Sequence, residues 1–354
     1  MADYAWRFLN SWAVRALCYP RTVDDYLDAL QPLWSVDEIR ARIHCIKRET
    51  ADAASLYLQP NRNWHGHRAG QHVELTVEIE GVRHSRCFSL SSSPTDPLLR
   101  ITIKRNGRVS RYIVERAQAG EHVVISPPRG SFVLPQPRPA KLLMISGGSG
   151  ITPMLAMLRQ LQAERYQGDI MLLHYDAHPQ ALIGHAELLE LRKGLPGLRL
   201  QLCFTREGLG DSARFSAAQL ETLVPDAADR AAFLCGPAGL MEAVRRHHLE
   251  RPFRALSTEQ FVLPALNVRG EGEVLFKRSG VVASGASAGS LLELAERSGL
   301  TPRYGCRTGI CHTCKHRIIE GWVRDVRSGE VRRARDEDLQ LCVHAAAGDV
   351  QLDL

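Results

Sequence analysis

Lys141-Leu142-Leu143-Met144-Ile145-Ser146-Gly147-Gly148-Ser149-Gly150-Ile151-Thr152-Pro153 begins as an apolar run of strand length, breaks into glycines, and ends in residues that start helices. Glycine lets the backbone turn sharply and approach a ligand closely, and the free N–H groups of a helix start attract anions. Thr152 is the expected N-cap and Pro153 the expected first helical residue. A glycine run of this kind occurs in many strand-to-helix turns and lacks the spacing of the usual dinucleotide fingerprint, so its context decides. Downstream, strand and helix patterns alternate: Asp169 to Tyr175, a helix near His185, Arg199 to Thr205, a helix near Ser216, Ala231 to Leu234, and a helix from Pro237. That alternation predicts a doubly wound α/β domain, with Gly147, Gly148, Ser149, Gly150 and Thr152 at the carboxyl edge of its first strand, where such folds bind ligands. Cys235, Gly236 and Pro237 form a second turn at the same edge. Taken alone, Cys235 reads as a small buried hydrophobe.

Upstream of the proline-rich joint Pro135, Pro137, Pro139, short β-forming runs are broken by turn residues: Arg42 to Lys47, Ser55 to Gln59, His72 to Ile79, Arg83 to Ser91, Leu99 to Lys104 and His122 to Ser126. They predict a small antiparallel β-barrel. Before it, Tyr4 to Leu17 and Asp24 to Leu30 read as a short helical leader. That leader either packs on the next domain or, through Trp6, Phe8, Trp12 and Trp34, gives a peripheral foothold on a membrane. Beyond Pro264 to Asn267 a third unit begins, with strands Glu273 to Lys277, Lys315 to Glu320 and Val350 to Leu354 and a helix from Ser290. The expected division is 1–40 leader, 41–137 barrel, 138–264 α/β domain and 265–354 third unit.

Within that third unit, Cys306, Cys311 and Cys314 stand in a C-x4-C-x2-C run, with Cys342 remote. This is the ligand spacing of a plant-type [2Fe-2S] cluster, whereas structural zinc sites pair their cysteines as two short knuckles. The other five cysteines, Cys18, Cys45, Cys87, Cys203 and Cys235, show no pairing pattern, as suits a reducing compartment. Met1 to Leu17 carries Asp3, Arg7 and Arg15 and so lacks the uncharged core of a signal peptide or spanning helix. The expectation is a cytoplasmic protein, at most peripheral to the inner membrane. A net charge of +6 over 354 residues comes from mixed signs with no basic-aromatic groove, which argues against nucleic acid as a partner. The charged run from Glu320 to Asp338 reads as a solvated face, with a docking patch as the alternative. In the barrel, Arg86, Phe88 and Leu90 share one strand face and Cys87 and Ser89 the other. Arg86 and Phe88 are then either a phosphate clamp and a ring platform, or a solvated arginine beside a core aromatic.

These motifs together resemble the ferredoxin-NADP(+) reductase superfamily. Arg86-Cys87-Phe88-Ser89 is similar to its flavin motif, Gly107-Arg108-Val109-Ser110 to its pyrophosphate loop, Gly147 to Pro153 to its dinucleotide loop, and Cys235-Gly236-Pro237 to its nicotinamide-side turn. The stretch Tyr304 to Cys314 resembles the ferredoxins fused to oxygenase and desaturase reductases, and the third unit is accordingly expected to be β-grasp-like. The resemblance implies FAD, with FMN used by phthalate-type relatives of the same domain order. By the resemblance, Arg86 holds flavin phosphate, Phe88 lies on the flavin ring, Ser89 bonds near its reactive edge, Gly107, Val109 and Ser110 meet the pyrophosphate, and Cys235 orients the nicotinamide. Thr205-Arg206 resembles a 2′-phosphate grip and implies NADPH; Asp176 keeps NADH open. Gln260 stands where relatives carry arginine in the Glu259-x-Phe261 segment that closes the domain. The order of domains and the helical leader look most like the electron-transfer partners of bacterial fatty acyl desaturases. The implied acceptor is such a desaturase, membrane-embedded, or a related di-iron oxygenase, with a soluble oxygenase reductase and an iron-sulfur redox sensor as the alternatives.

Overall fold

The structure, a computed structural model, describes the chain apart from residues 1–8, 10, 19–22, 80, 207–213, 262–269, 305–308, 310–312 and 327. Two compact units follow one another, Met1–Gln260 and Phe261–Leu354.

The first unit opens with α1 (Trp12–Cys18) and α2 (Val23–Leu30), which lead into a six-stranded antiparallel sheet. Its strands are β1 (Ile39–Thr50), β2 (Ala53–Pro60), β3 (His72–Ile79), β4 (Val82–Ser89), β5 (Leu99–Lys104) and β6 (His122–Ile125), with α3 (Arg108–Arg116) between the last two. Strand order is β4-β3-β6-β1-β2-β5, and irregular register at Ile43/Cys45 and Arg48/Thr50 bends β1 around a core that includes Leu56, Leu75, Leu90 and Ile101. The leader is tied to this sheet. Asp24 on α2 is buried and accepts from Ser35 Oγ at 2.5 Å and from the Val36 amide at 2.6 Å, while Asn63 Nδ2 donates to the Ser35 and Glu38 carbonyls. Trp6 and Phe8, expected in the leader, lie outside the described residues.

The second sheet is parallel, with β7 (Lys141–Gly147), β8 (Asp169–Asp176), β9 (Leu198–Phe204), β10 (Ala231–Cys235) and β11 (Ala255–Glu259) in the order β11-β10-β7-β8-β9. Helices α4 (Ile151–Ala163), α5 (His185–Gly194), α6 (Ala217–Leu223) and α7 (Ala238–Glu250) connect the strands. Strand order reverses between β7 and β10, and the crevice at such a switch point is where open α/β sheets receive ligands. Arg100 of β5, 1% exposed, joins the two sheets: it donates to Ser55 Oγ at 3.0 Å, pairs with Glu49 at 3.1 Å, and meets Glu187 of α5. Arg159 of α4 meets the same Glu187 and pairs with Asp96 at 3.0 Å. The two arginines outweigh burial and hold Glu187 below the usual carboxylate range, so both ends of this buried junction are charged and paired.

The second unit is a mixed sheet in the order β13-β12-β16-β14-β15, formed by β12 (Glu273–Phe276), β13 (Val281–Ser284), β14 (Lys315–Asp325), β15 (Val331–Gln340) and β16 (His344–Leu352), with α8 (Leu291–Arg297). Ser290 caps α8 by accepting from the Glu293 amide at 3.2 Å, and Glu293 returns a bond from the Gly289 amide at 3.0 Å. Three expectations change here. The charged run is partly strand: β15 pairs with β14 and buries Ala334 and Leu339, its charges facing outward as suits the edge of a sheet. The last strand starts at His344 rather than Val350, and β13 is additional.

Candidate redox site

At the switch point the backbone of β7 meets that of β10. Ser146 stands opposite Cys235 in register, and Gly150 lies so close that a Cβ there would sit 2.1 Å from the Cys235 carbonyl oxygen. A Cβ on Gly147 would meet Pro237 at 2.8 Å. The glycines are therefore required by the approach of the two turns to one another. Gly148, at φ +52°, turns the chain in the left-handed region. Gly148–Gly150 form one 3-10 turn and Gly150 caps α4, so the expected cap at Thr152 is corrected: Thr152 lies inside the first turn and its hydroxyl donates to the Ser149 carbonyl at 3.0 Å. Pro153 is likewise third in the helix rather than first, because the glycine turn starts the winding earlier. Neither a capping side chain nor an acidic residue occupies this helix start, which fits a pyrophosphate.

Cys235 is fully buried, and burial with the charge of Glu259 pushes its thiol well above the usual range, so it presents a neutral S–H. Glu259 of β11 stands opposite it in register and reaches across to the barrel. Its Oε2 accepts from Ser89 Oγ at 3.2 Å, and its Oε1 lies 3.3 Å from Nδ1 of His72. The structure thus brings Ser89, at the end of the expected flavin strand, to Cys235, at the expected nicotinamide turn, through one carboxylate. His72 gave no signal in its local sequence; its pairing opposite Ser89 across β3 and β4 is what places it there.

The remaining expected flavin residues lie along the barrel. Phe88 packs half-buried against the barrel core, Cys87 is also half-buried, and Arg86 donates to the neighbouring Ser85 carbonyl at 2.7 Å. Gly107 caps α3 without a side-chain bond, and Val109 is buried in the core. Ser110 Oγ accepts from the Asn106 amide at 2.9 Å and donates to the Gly107 carbonyl at 3.2 Å, so its hydroxyl shapes the loop. This uncapped helix start again fits an anion. At the end of β9, Arg206 is exposed and its amide is fixed by the Ala177 carbonyl at 2.9 Å. Asp176 Oδ1 accepts from the Ala177 amide at 2.8 Å and lies 3.8 Å from Lys104, while its buried Oδ2, 3.6 Å from His174, makes no hydrogen bond among the described residues. His174 also bonds Ser146 at 2.8 Å.

In the second unit, Cys314 precedes β14 and Cys342 sits in the turn after β15; both are buried in one apolar core, and Leu341 donates to the Cys314 carbonyl at 3.1 Å. Two deeply placed thiols on adjacent backbone suit a thiolate-held cluster. Cys306 and Cys311 lie outside the described residues.

Comparison with known proteins agrees with this arrangement. The oxidoreductase FAD-binding domain family matches residues 41–134, the oxidoreductase NAD-binding domain family 144–246, and the 2Fe-2S iron-sulfur cluster binding domain family 275–347. An NADPH oxidoreductase of Mycobacterium tuberculosis (strain ATCC 25618 / H37Rv) is 34% identical over 99% of this chain and 93% of its own length. A glycine betaine monooxygenase reductase subunit of Chromohalobacter salexigens is 28% identical over 84% of this chain and 90% of its own. Among solved structures, phthalate dioxygenase reductase superposes with a TM-score of 0.62 at 25% identity, covering 90% of this chain and 98% of that one. The chain belongs to the ferredoxin-NADP(+) reductase superfamily, as an oxidoreductase with FAD, a pyridine nucleotide and a C-terminal [2Fe-2S] ferredoxin domain as its redox groups.

Proposed function

We propose that this chain is the NADPH-driven reductase component of an oxygenase-type system, carrying electrons from the nucleotide through FAD and the cluster to a separate acceptor protein. The observation that carries the reading is that Ser89 Oγ donates to Glu259 at 3.2 Å while Glu259 is the register partner of Cys235, which supports placing a flavin strand beside a nicotinamide turn at the switch point of the parallel sheet. When bound, the cofactors would supply the redox chemistry, hydride transfer at the nucleotide and flavin and single-electron transfer at the cluster. The chain's own residues do the placing. Arg86 holds flavin phosphate, Phe88 supports the ring, and the Gly107 to Ser110 turn and the Gly147 to Thr152 turn receive the two pyrophosphates. Cys235, Gly236 and Pro237 seat the nicotinamide, and Cys306, Cys311, Cys314 and Cys342 ligate the cluster. Arg206 grips the 2′-phosphate of NADPH. Support for that choice comes from the relative named as an NADPH oxidoreductase.

An anaerobic NADPH titration followed by visible and EPR spectra tests the whole path: flavin bands bleach first and a rhombic reduced-cluster signal follows, whereas protein that binds no flavin after reconstitution overturns it. Steady, cyanide-resistant reduction of ferricyanide separates an enzyme from a redox sensor. R206A is expected to weaken NADPH by about tenfold and leave NADH unchanged; equal preference in both proteins removes that role.

A membrane-bound fatty acyl desaturase as acceptor is the second reading. It is favoured by the leader, where Trp12, Leu17 and Leu30 are 83%, 85% and 74% exposed, as a peripheral contact would need. No helix among the described residues is long and apolar enough to cross a membrane. Co-sedimentation with phospholipid vesicles that is lost in W12A/L17A supports the membrane-bound acceptor; absence of binding leaves the soluble oxygenase.

A further inference from the structure

Glu259 is 7% exposed; its Oε2 accepts from the Ser89 hydroxyl at 3.2 Å and its Oε1 faces the His72 ring. His72 is 4% exposed, and neither ring nitrogen makes a hydrogen bond within the usual limits, although Nδ1 stands 3.3 Å from Glu259 Oε1. The placement is enforced from several sides. His72 and Ser89 are register partners on neighbouring strands, so their side chains emerge on the same face. The His72 backbone is bridged in both directions to Arg129, at 3.0 and 2.9 Å. Gly130, at φ +107°, lies flat against the ring, and a Cβ there would be 3.0 Å from Cε1 and Nδ1.

We propose that His72 is a positioning residue for Glu259. Its ring holds Oε1 so that Oε2 stays on the Ser89 hydroxyl and the carboxylate stays beside Cys235. Without the ring, the carboxylate would be free to turn toward water, and Ser89 then loses its acceptor. This rests on the reading of Ser89 and Cys235 as the flavin and nicotinamide sides of one site.

The test uses the full-length holoprotein. Asparagine places a donor close to the Nδ1 position and leucine does not, so H72L is expected to slow the limiting rate of flavin reduction by NADPH about tenfold with the nucleotide Kd held within about twofold, while H72N recovers most of the rate. In thermal melts, H72L and E259Q each lower Tm, and H72L/E259Q falls no further than the worse single variant, as for two members of one contact. H72F, which keeps a planar ring but carries no nitrogen, slows reduction in the same sense and serves if H72L does not fold. Wild-type rates in H72L and H72F, or Tm losses that simply add, overturn the proposal. Wild-type protein whose flavin NADPH fails to bleach would overturn the underlying site reading instead.

Discussion

The two ends of the parallel sheet are built from the same strands and have opposite chemistry. At the amino end, Arg230 is 1% exposed and bonds Asp226 at 2.9 Å, Asp169 at 2.5 Å and the Leu142 carbonyl at 3.1 Å, with Lys141 on Asp226 at 2.8 Å and Arg199 on Asp169 at 2.9 Å. At the carboxyl end glycine lies beside glycine, with a neutral buried thiol and two buried carboxylates, Glu259 and Asp176, that face the barrel. Charge is fully paired where only the fold is at stake. Polar groups are left under-satisfied, and side chains left out, at the edge where the proposed dinucleotide site lies.

The largest effect should come from the amino end. R230L removes the one cation common to Asp169 and Asp226, but both carboxylates keep about a third of their exposure and a lysine or arginine each. We expect a loss of about 2–3 kcal/mol in urea unfolding, at the low end for a broken buried pair, with NADPH affinity unchanged. If nucleotide binding falls as well, the two ends are not independent. G150A should behave in reverse. Its Cβ collides with main chain rather than a movable side chain, so the turn itself must open, weakening nucleotide binding by roughly 10- to 100-fold, the equivalent of about 1–3 kcal/mol of overpacking. Isothermal titration beside a thermal melt distinguishes a lost site from a lost fold. C235A sharpens the division further: hydride transfer measured by stopped flow should slow about tenfold with NADPH still bound.

Much of the carboxyl end was legible in the sequence because its instructions are local. Gly147 to Pro153 and Cys235 to Pro237 are contiguous turns, and the strand and helix patterns around them fixed which edge they occupy. The 2Fe-2S domain was legible from the spacing of Cys306, Cys311 and Cys314, which is local. What escaped depends on register between distant strands. His72 and Glu259 meet only because β3 pairs with β4 while β11 pairs with β10. Arg230 carries no local signal, and its role follows only from the fold that sets Asp169 against it. The strand Val331–Gln340 was concealed by its charges, which break alternation together with Asp336 at φ +53°. Thr152 was a plausible cap displaced by the 3-10 turn before it, a choice made by the contact of Gly150 with Cys235 rather than by local preference.

The smallest effect, and the most direct separation of the two ends, is in pH. Hydrogen bonds from Arg230 and then Lys141 hold the Asp226 carboxyl below the usual range against the opposing effect of burial. A depressed carboxyl adds stability above its unfolded value, near 3.9, and loses it as pH falls toward the folded one. The gap between wild type and D226N, about 1–2 kcal/mol at neutral pH, should therefore close between about pH 5 and 2. Cys235 has the opposite sign. Its raised thiol favours the folded state below the unfolded value, near 8.5, and that contribution is lost as pH rises, because the unfolded chain ionises first. Wild type should then lose stability above about pH 9 while C235A stays flatter, and C235A should leave the acid limb untouched. Urea midpoints across both limbs decide the matter: an acid limb that moves with Cys235, or an alkaline limb that moves with Asp226, would mean the sheet transmits charge along its strands and the division between its ends is false.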